Sequence, residues 1–152
     1  EYIEQPVSAG ELDELAALTA LGVIPVAADE SVQNLEQARL LLDRRAVSLF
    51  VVKPMAAGSL ADCRRFAIEA AEQGCDVVFT SLIDSSIGRH AVAQLCASLP
   101  SAPRHHGLAT GSLFLEDTHR DNIVQGSFLL PEDAGLGITP MSGTGMEEME
   151  DV

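Results

Sequence analysis

The chain alternates short apolar runs with longer amphipathic segments from its first residues to about residue 108. The apolar runs are nearly continuous rather than alternating, a pattern typical of parallel strands covered on both faces. The longer segments carry leucine and alanine at helical spacing and end at glycine or before proline. Strand, helix and strand in regular succession imply right-handed parallel crossovers. The sequence therefore predicts an α/β fold built on a parallel sheet.

Five strands and four helices are predicted from these patterns. The strands are placed at 2–3, 23–28, 46–52, 76–80 and 106–108. The first helix is placed at 11–21, and the second follows Ser31 as N-cap and carries Leu35, Ala38, Leu41 and Leu42 at helical spacing. The third helix is placed at 60–73 with Ser59 as N-cap. The fourth is placed at 87–99 and is capped by Ser85-Ser86. A short helical stretch at 113–117 and an extended run at 127–130 follow.

Four polar residues and one glycine lie at or near the ends of the predicted strands at a regular interval. Glu4, Asp29, Lys53, Ser81 and Gly107 are separated by 25, 24, 28 and 26 residues. One βα unit of an eight-unit barrel occupies about 25–30 residues. Each polar residue therefore lies at the carboxyl end of a successive strand, which is the face where barrel enzymes hold their active sites.

A barrel explains this spacing better than an open doubly wound sheet. An open sheet usually carries a glycine-rich phosphate loop after its first strand, whereas Gly135-Leu136-Gly137 lies near the C-terminus and opens no helix. A closed barrel of this type needs eight strands, and only about five are counted. Because the chain has no initiator Met and enters a strand at once, we expect the missing strands to precede Glu1 or to come from another polypeptide.

Two carboxylates and one lysine form the candidate reactive set. Glu4 and Asp29 lie at neighbouring strand ends, and such hard oxygen ligands suit Mg²⁺. Lys53 follows at the next strand end and is the single lysine beside eight arginines. Burial can shift the pKa of a lysine so that it exchanges a proton, which arginine effectively cannot do. This set suits proton abstraction beside a substrate carboxylate, with the metal neutralising the enediolate that forms.

The charge and cysteine content of the chain limit the classes of partner and the cell compartment that we expect for it. It has 23 acidic and 9 basic residues and a net charge of −14, which argues against nucleic acid and anionic lipid because both would be repelled. No apolar run approaches the ~20 residues of a membrane span. Cys63, Cys75 and Cys96 lack CxxC spacing and are typical of free thiols in a reducing compartment. We therefore expect a cytoplasmic protein whose partner is a small-molecule carboxylate.

Several segments resemble one known family. Tyr2-Ile3-Glu4-Gln5-Pro6, Ala28-Asp29-Glu30-Ser31 and Val52-Lys53-Pro54 are similar to the ends of the fourth, fifth and sixth barrel strands in the muconate-lactonising branch of the enolase superfamily. Within that branch, 81–88 and 106–110 resemble the seventh- and eighth-strand segments of the o-succinylbenzoate synthases, and 131–138 resembles their C-terminal return to a capping domain. The resemblance implies the C-terminal part, about strands four to eight, of a (β/α)7β TIM-like barrel.

The resemblance also implies a reaction and roles for the reactive set. The synthases dehydrate a succinyl-hydroxycyclohexadiene carboxylate to 2-succinylbenzoate for menaquinone synthesis. Glu4 and Asp29 match two of three Mg²⁺ ligands, with Mg²⁺ binding the ring carboxylate. Lys53 matches the sixth-strand lysine and would supply positive charge on one face of the ring.

Five further residues are implied as substrate-binding candidates: Thr80, Ser81, Asp84, Gly107 and Leu108. The loops at 80–81 and 107–108 would offer small side chains and backbone N–H groups to the succinyl tail. Asp84 departs from the family, which usually has Glu at this place, and the shorter side chain leaves its role open.

Parts of the implied machinery are absent from these 152 residues. The third metal ligand belongs to the third strand, and a Lys-x-Lys pair with the principal base belongs to the second. We therefore expect the chain to need the N-terminal half of the barrel and the capping domain, and to be inactive alone; a homo-oligomer is left open. We divide it into a partial barrel at 1–126, a return segment at 127–140 and a disordered acidic tail at 141–152.

Other functions stay open at this stage. An N-succinylamino acid racemase or a dipeptide epimerase of the same superfamily would use the same metal and lysine, although 107–110 lacks the acidic motif that often holds the amine of a dipeptide. A catalytically inert barrel fragment or binding module is the alternative from another class. His105 and His106 are adjacent on a strand and point to opposite faces, so we expect a structural role for them.

Overall fold

A four-stranded parallel sheet forms the centre of the fold. The computed structural model describes residues 1–101, 103–132 and 134–138. The strands are β1 (Ile3–Glu4), β2 (Val26–Ala28), β3 (Leu49–Val52) and β4 (Asp76–Phe79), and they lie side by side in chain order. A parallel bridge between Thr80 and Gly107 adds a fifth position beside β4. The predicted parallel α/β architecture is confirmed.

Helices connect the strands as the sequence predicts. They are α1 (Leu12–Ala20), α2 (Leu35–Asp43), α3 (Pro54–Ala57), α4 (Leu60–Glu72) and α5 (Ser86–Ala97). The cap of α4 is confirmed, because Ser59 Oγ accepts the N–H of Asp62 at 3.1 Å. The single turn of α3 was not predicted; it begins at Pro54, whose fixed φ and missing N–H suit the first helical position.

Both faces of the sheet are buried. One face contributes Phe50, Val52 and Phe79 to the main core, where they meet the helices. The opposite face carries a smaller buried cluster of Ala27, Leu49, Val51 and Val78, with Tyr2 against it. Burial on both faces is the physical reason that these strands are continuous apolar runs in the sequence.

The start of α2 differs from the prediction. Ser31 does not cap the helix; Asn34 does, because its side chain accepts the N–H of Gln37 at 2.9 Å. Ser31 is instead buried and its Oγ accepts a hydrogen bond from Gln5 at 3.0 Å. The N-cap pattern is satisfied by several polar residues in this stretch, and a contact across the sheet decides among them.

The segment after the fifth strand position also differs. The short helix is a 3₁₀ turn at Thr110–Leu113 rather than at 113–117. The extended run at 127–130 contains β6 (Ser127–Phe128), which pairs antiparallel with β5 (Ile123–Val124), a strand that was not predicted. Their two-residue turn, Gln125-Gly126, has positive φ at both positions, as tight hairpins require.

Two domain predictions lie outside the described residues in part or in full. The return segment at 127–140 is described except for 133, 139 and 140, and the tail at 141–152 is not described at all. In the described part of the chain, no helix has both the length and the apolar character needed to cross a bilayer.

The core between β3 and α4 generates a stability prediction. Phe66 is fully buried and meets Phe50 edge to face, with ring centroids 5.1 Å apart. Phe66→Ala should lower the free energy of unfolding by about 3–5 kcal/mol, since it removes apolar contacts and leaves a cavity. Urea unfolding of the purified chain measures this. Leu21→Ala is the control, because this side chain is 69% exposed, and it should change the free energy of unfolding by less than about 0.5 kcal/mol.

Candidate active site

Glu4, Asp29 and Lys53 lie on one face of the sheet at its carboxyl edge. Glu4 ends β1 and is in register with Ala27 of β2. Asp29 lies two residues beyond Ala27, and Lys53 lies two residues beyond Val51. Because side chains alternate along a strand, all three share the face of the smaller apolar cluster rather than the face that meets the helices.

Gln5 fixes the loop after β1 to the loop after β2. Its Oε1 accepts the backbone N–H groups of Asp29 at 3.0 Å and Ser31 at 3.2 Å, and its Nε2 donates to Ser31 Oγ at 3.0 Å. Gln5 itself has a positive φ of 39°. The side chain thereby holds Asp29 beside Glu4, a role that sequence interpretation missed because the bond spans 24 residues.

Lys53 and Asp29 form an ion pair across the ends of β3 and β2. The pair joins Lys53 Nζ to Asp29 Oδ1, with side chains 29% and 13% exposed. Burial lowers the pKa of Lys53, and the negative charge of Glu4 acts in the opposite direction. The sheet therefore brings all three members of the predicted reactive set within electrostatic reach of one another.

The donor set at this edge suits a hard cation but does not complete a site for one. Glu4 is exposed and takes part in no ion pair among the described residues, and Asp29 keeps Oδ2 free of Lys53. Carboxylate oxygens of this kind match the ligands that Mg²⁺ prefers. Within 1–101, 103–132 and 134–138, no group of three or more His, Cys, Asp or Glu side chains is placed to hold a metal.

The backbone N–H groups expected to meet a substrate are already used. Thr80 donates to Val52 O at 3.0 Å, Ser81 to Gly107 O at 3.0 Å, and Gly107 to Phe79 O at 2.9 Å. The first bond attaches the end of β4 to β3, and the other two attach the fifth strand position to β4. In this structure the N–H groups of Thr80, Ser81 and Gly107 therefore serve the sheet, and the expected contact of these loops with a substrate tail stays a prediction.

The side chains at the same loops have different surroundings. Thr80 Oγ1 is buried and has no hydrogen-bond partner among the described residues. Ser81 Oγ, in contrast, lies 2.9 Å from Thr110 Oγ1. A Cβ at Gly107 would come within 2.8 Å of the Thr80 side chain, so glycine allows Thr80 to lie over this strand. Thr80 is thus the candidate with an unused polar atom.

Asp84 and Leu108 occupy structural environments. Asp84 Oδ2 accepts the N–H of Leu82 at 3.0 Å, which turns the carboxylate back onto its own loop. Leu108 is 7% exposed and belongs to the main core. Neither position excludes a part in substrate binding, and both roles stay predictions.

A buried ionic cluster that the sequence interpretation missed lies beside these loops. We call Arg89, Asp117 and Asp121 the Arg89 cluster. Arg89, on α5, is 1% exposed and donates from Nη2 to Asp117 and from Nε to Asp121, each at 2.7 Å. Arg89 Nη1 also donates to the carbonyl of Asp84. The available signal was an arginine among the apolar residues of a predicted helix, where it must be paired to be buried.

Asp117 also caps α5. Its Oδ1 accepts the N–H of Ser86 at 2.9 Å, whereas Ser85, the predicted cap, makes no side-chain cap bond. Burial alone would raise the pKa of Asp117, but the hydrogen bonds from Ser86 and Arg89 outweigh it and lower this pKa to about 2. A residue 31 positions downstream thus satisfies the helix start.

Two histidines, His90, which is buried, and His106, which is half-buried, pack within the fold. His106 Nδ1 accepts the N–H of Phe79 at 3.1 Å. His90, on α5, packs against Phe128 with ring centroids 4.9 Å apart, and its Nε2 lies 3.7 Å from Asp121 Oδ1. Burial lowers the pKa of both histidines, so both are mainly neutral at pH 7.

Comparisons with known proteins agree with this geometry. The family described as enolase C-terminal domain-like matches residues 1–143. An o-succinylbenzoate synthase of Thermobifida fusca is 34% identical over 131 residues, which are 86% of this chain and 40% of that protein. A chloromuconate cycloisomerase of Cupriavidus pinatubonensis is 33% identical over 145 residues, with 91% and 38% covered. The muconate lactonizing enzyme from Pseudomonas putida superposes with a TM-score of 0.86 at 26% identity, over 92% of this chain and 40% of that one.

Consecutive parallel strands with acids and a lysine at their carboxyl edge define the class of barrel-type α/β proteins that hold a site at this face. The chain belongs to the enolase C-terminal domain-like family. The predicted superfamily and fold are confirmed. The chain spans about 40% of the length of the curated relatives described above.

The environment of Lys53 generates a titration prediction. Since Lys53 is the single lysine, isotope-labelled lysine gives one set of side-chain NMR signals. With chelator present, Lys53 should titrate at a lower pH than free lysine, because burial disfavours its charged form. Glu4→Gln should lower this pKa further, since Glu4 raises it. Glu30→Gln, at an exposed neighbour of Asp29, should have a smaller effect; titration at or above the pH of free lysine would contradict the burial.

The Arg89 cluster generates an acid-stability prediction. The pKa of Asp117 is about 2, below its value in an unfolded chain, so its stabilisation is complete above about pH 4 and is lost as pH falls through 2. Asp117→Asn should reduce the free energy of unfolding at pH 7 by about 1.5–3 kcal/mol and weaken its dependence on pH below 4. Urea unfolding at several pH values measures both. Asp13→Asn, at a side chain 98% exposed, is the matched control and should change neither.

Proposed function

We propose that this chain carries part of the active site of a Mg²⁺-dependent o-succinylbenzoate synthase, a hydro-lyase of menaquinone biosynthesis. The observation that carries the proposal is the ion pair of Lys53 with Asp29 beside Glu4 at the carboxyl edge of the sheet. The 34% identity to the T. fusca synthase supports this choice of reaction. Three free cysteines fit a cytoplasmic location, which is part of the proposal.

Glu4 and Asp29 would hold the Mg²⁺ ion. Lys53 uses only Oδ1 of Asp29, which leaves Oδ2 available as a ligand. When bound, Mg²⁺ neutralises charge on the substrate carboxylate while the proton on the neighbouring carbon is removed. Both carboxylates lie on the same face at the ends of adjacent strands, which is the geometry that supports this assignment.

Lys53 would act on the anion that forms in the substrate ring. Dehydration breaks one ring C–H and one C–O bond, forms a C=C bond and releases water. The ammonium group of Lys53 stabilises negative charge beside it more strongly in a partly buried site than in water.

Thr80 would contact the succinyl chain of the substrate. Its Oγ1 is buried without a partner among the described residues, and a hydrogen bond from substrate would remove the cost of that burial. Ser81 and Gly107 would shape this end of the site through the bonds that join their strands. Asp84 and Leu108 would border it.

The reaction needs groups that these 152 residues do not contain. Lys53 is the single lysine, so a Lys-x-Lys pair with the principal base would come from a segment outside them. A third metal ligand would come from the same source. We therefore propose that the chain is active only together with the N-terminal half of the barrel and a capping domain.

A related activity is the second candidate. The chain is 33% identical to a chloromuconate cycloisomerase and 34% identical to the synthase. This similar identity makes cycloisomerisation the second candidate reaction. An N-succinylamino acid racemase would use the same carboxylates and lysine. A cationic dipeptide substrate fits less well, because 107–110 contains no acid to hold its amine.

A chimera tests the proposed function. The upstream part of the T. fusca synthase, joined to residue 1 of this chain, supplies the missing groups. With Mg²⁺ it should convert the succinyl-hydroxycyclohexadiene carboxylate to 2-succinylbenzoate, followed by ultraviolet absorbance, and chelation should stop the reaction. Lys53→Ala should lower kcat/KM by at least about a hundredfold, because the cation at the reacting ring is lost.

Arg65→Ala is the control for charge, since it removes a cation from the exposed surface of α4 and should leave kcat/KM unchanged. Conversion of chloromuconate or racemisation of N-succinylamino acids without dehydration would replace the proposed reaction by that activity. A folded chimera that acts on none of these substrates would favour an inert binding module.

A further inference from the structure

Two loops at the carboxyl edge of the sheet are joined by a dense set of polar contacts. The first is the β4 loop, 80–85, and the second is the 110–121 segment. Ser81 in the β4 loop forms a hydrogen bond to Thr110 of the segment at 2.9 Å. At the start of α5, Ser86 forms hydrogen bonds to Asp117 at 2.9 Å and to Thr118 at 2.7 Å. Arg89 donates to Asp117 and Asp121, each at 2.7 Å. No contact in this set involves Glu4, Asp29 or Lys53.

Arg89 is the one member that reaches both loops through a single rigid group. Its guanidinium donates to the backbone carbonyl of Asp84 in the β4 loop and to Asp117 and Asp121 in the 110–121 segment. The group is 1% exposed, so it must keep all of these acceptors to remain buried. The planar fork of arginine fits three acceptors at fixed angles, which the point charge of lysine does not.

Gly111 shows how closely the segment approaches this guanidinium. A Cβ at Gly111 would lie 2.5 Å from Asp121 Oδ2 and 2.8 Å from Arg89 Nη2. Any side chain there would displace the Arg89 cluster or the 3₁₀ turn. The ring of Phe114 covers the guanidinium from the same segment, with Arg89 Cζ 5.5 Å from its centroid. The segment is therefore shaped around Arg89.

We propose that Arg89 is a positioning residue that sets the β4 loop against the 110–121 segment and so fixes the substrate-chain end of the site. This inference rests on the proposed function, in which Thr80 and its neighbours meet the succinyl chain. Arg89 acts through the loops that border this end of the site. Its loss therefore weakens binding of the chain end while leaving proton chemistry at Lys53 intact.

Arg89→Lys in the chimera tests this role while keeping the charge that balances the two aspartates. KM for the succinyl-hydroxycyclohexadiene carboxylate should rise by about tenfold or more, because misplaced binding groups lose their contacts. The kcat value should stay within about threefold, and the pH profile of kcat should not move. Arg64→Lys, at an arginine of α4 that bonds Ser98 on the exposed surface, is the matched control and should change neither.

Gly111→Ala is a second variant, and it replaces no charged residue. It should reproduce the rise in KM, since the added Cβ displaces the same contacts. Unchanged KM in both variants, each folded by thermal unfolding, would overturn the role of Arg89. A fall in kcat as large as the rise in KM, accompanied by a fall in Tm, would also overturn it, because this result would mark a residue needed for stability alone.

Hydrogen exchange separates this inference from the proposed function. In the purified chain, Arg89→Lys should accelerate exchange at the amides of 82–86 and 111–118 and leave β3 protected. This holds whether or not the chimera dehydrates its substrate. A chimera without activity, combined with accelerated exchange, would overturn the proposed function and retain Arg89 as the link between the loops. Unchanged exchange at both loops would overturn the link.

Discussion

Parallel strand pairing is the constraint on which the candidate site depends. Parallel strands end at the same edge of a sheet, so residues 24 to 28 positions apart in the chain meet there. Register then selects the face, because Glu4 opposite Ala27 places the carboxylate on the side away from the helices. The Lys53–Asp29 ion pair is the direct product of this pairing. Gln5 adds a second link at the same edge by fixing the backbone of Asp29.

The two ionic centres of the structure differ in what surrounds them. Lys53 is 29% exposed and forms an ion pair with Asp29, so solvent reaches part of this pair. Arg89 is 1% exposed, and its guanidinium group donates hydrogen bonds to two carboxylates and one backbone carbonyl. The first arrangement leaves an ion pair partly open to solvent, and the second joins two loops through a buried guanidinium group.

The main elements were predictable because local pattern and tertiary packing agree. The strands are continuous apolar runs since both faces are buried, and Ser59 caps α4 as its sequence indicates. The prediction was wrong where a polar residue had a distant partner. Ser31 bonds Gln5 instead of capping α2, and Asp117 caps α5 in place of Ser85. The β5 strand was missed because two residues carry too little pattern to indicate a strand.

The sequence by itself determined the alternation of strands and helices, their order, and the end of each of the first four strands to within one residue. It also indicated the family, through short segments around Glu4, Asp29 and Lys53 that the comparison over residues 1–143 supports. Only the tertiary structure decided that the N–H groups of Ser81 and Gly107 serve the sheet, and that Arg89 joins two loops. Periodicity records which face of an element is buried, whereas a hydrogen bond between residues 24 to 32 positions apart leaves no periodic trace in the chain.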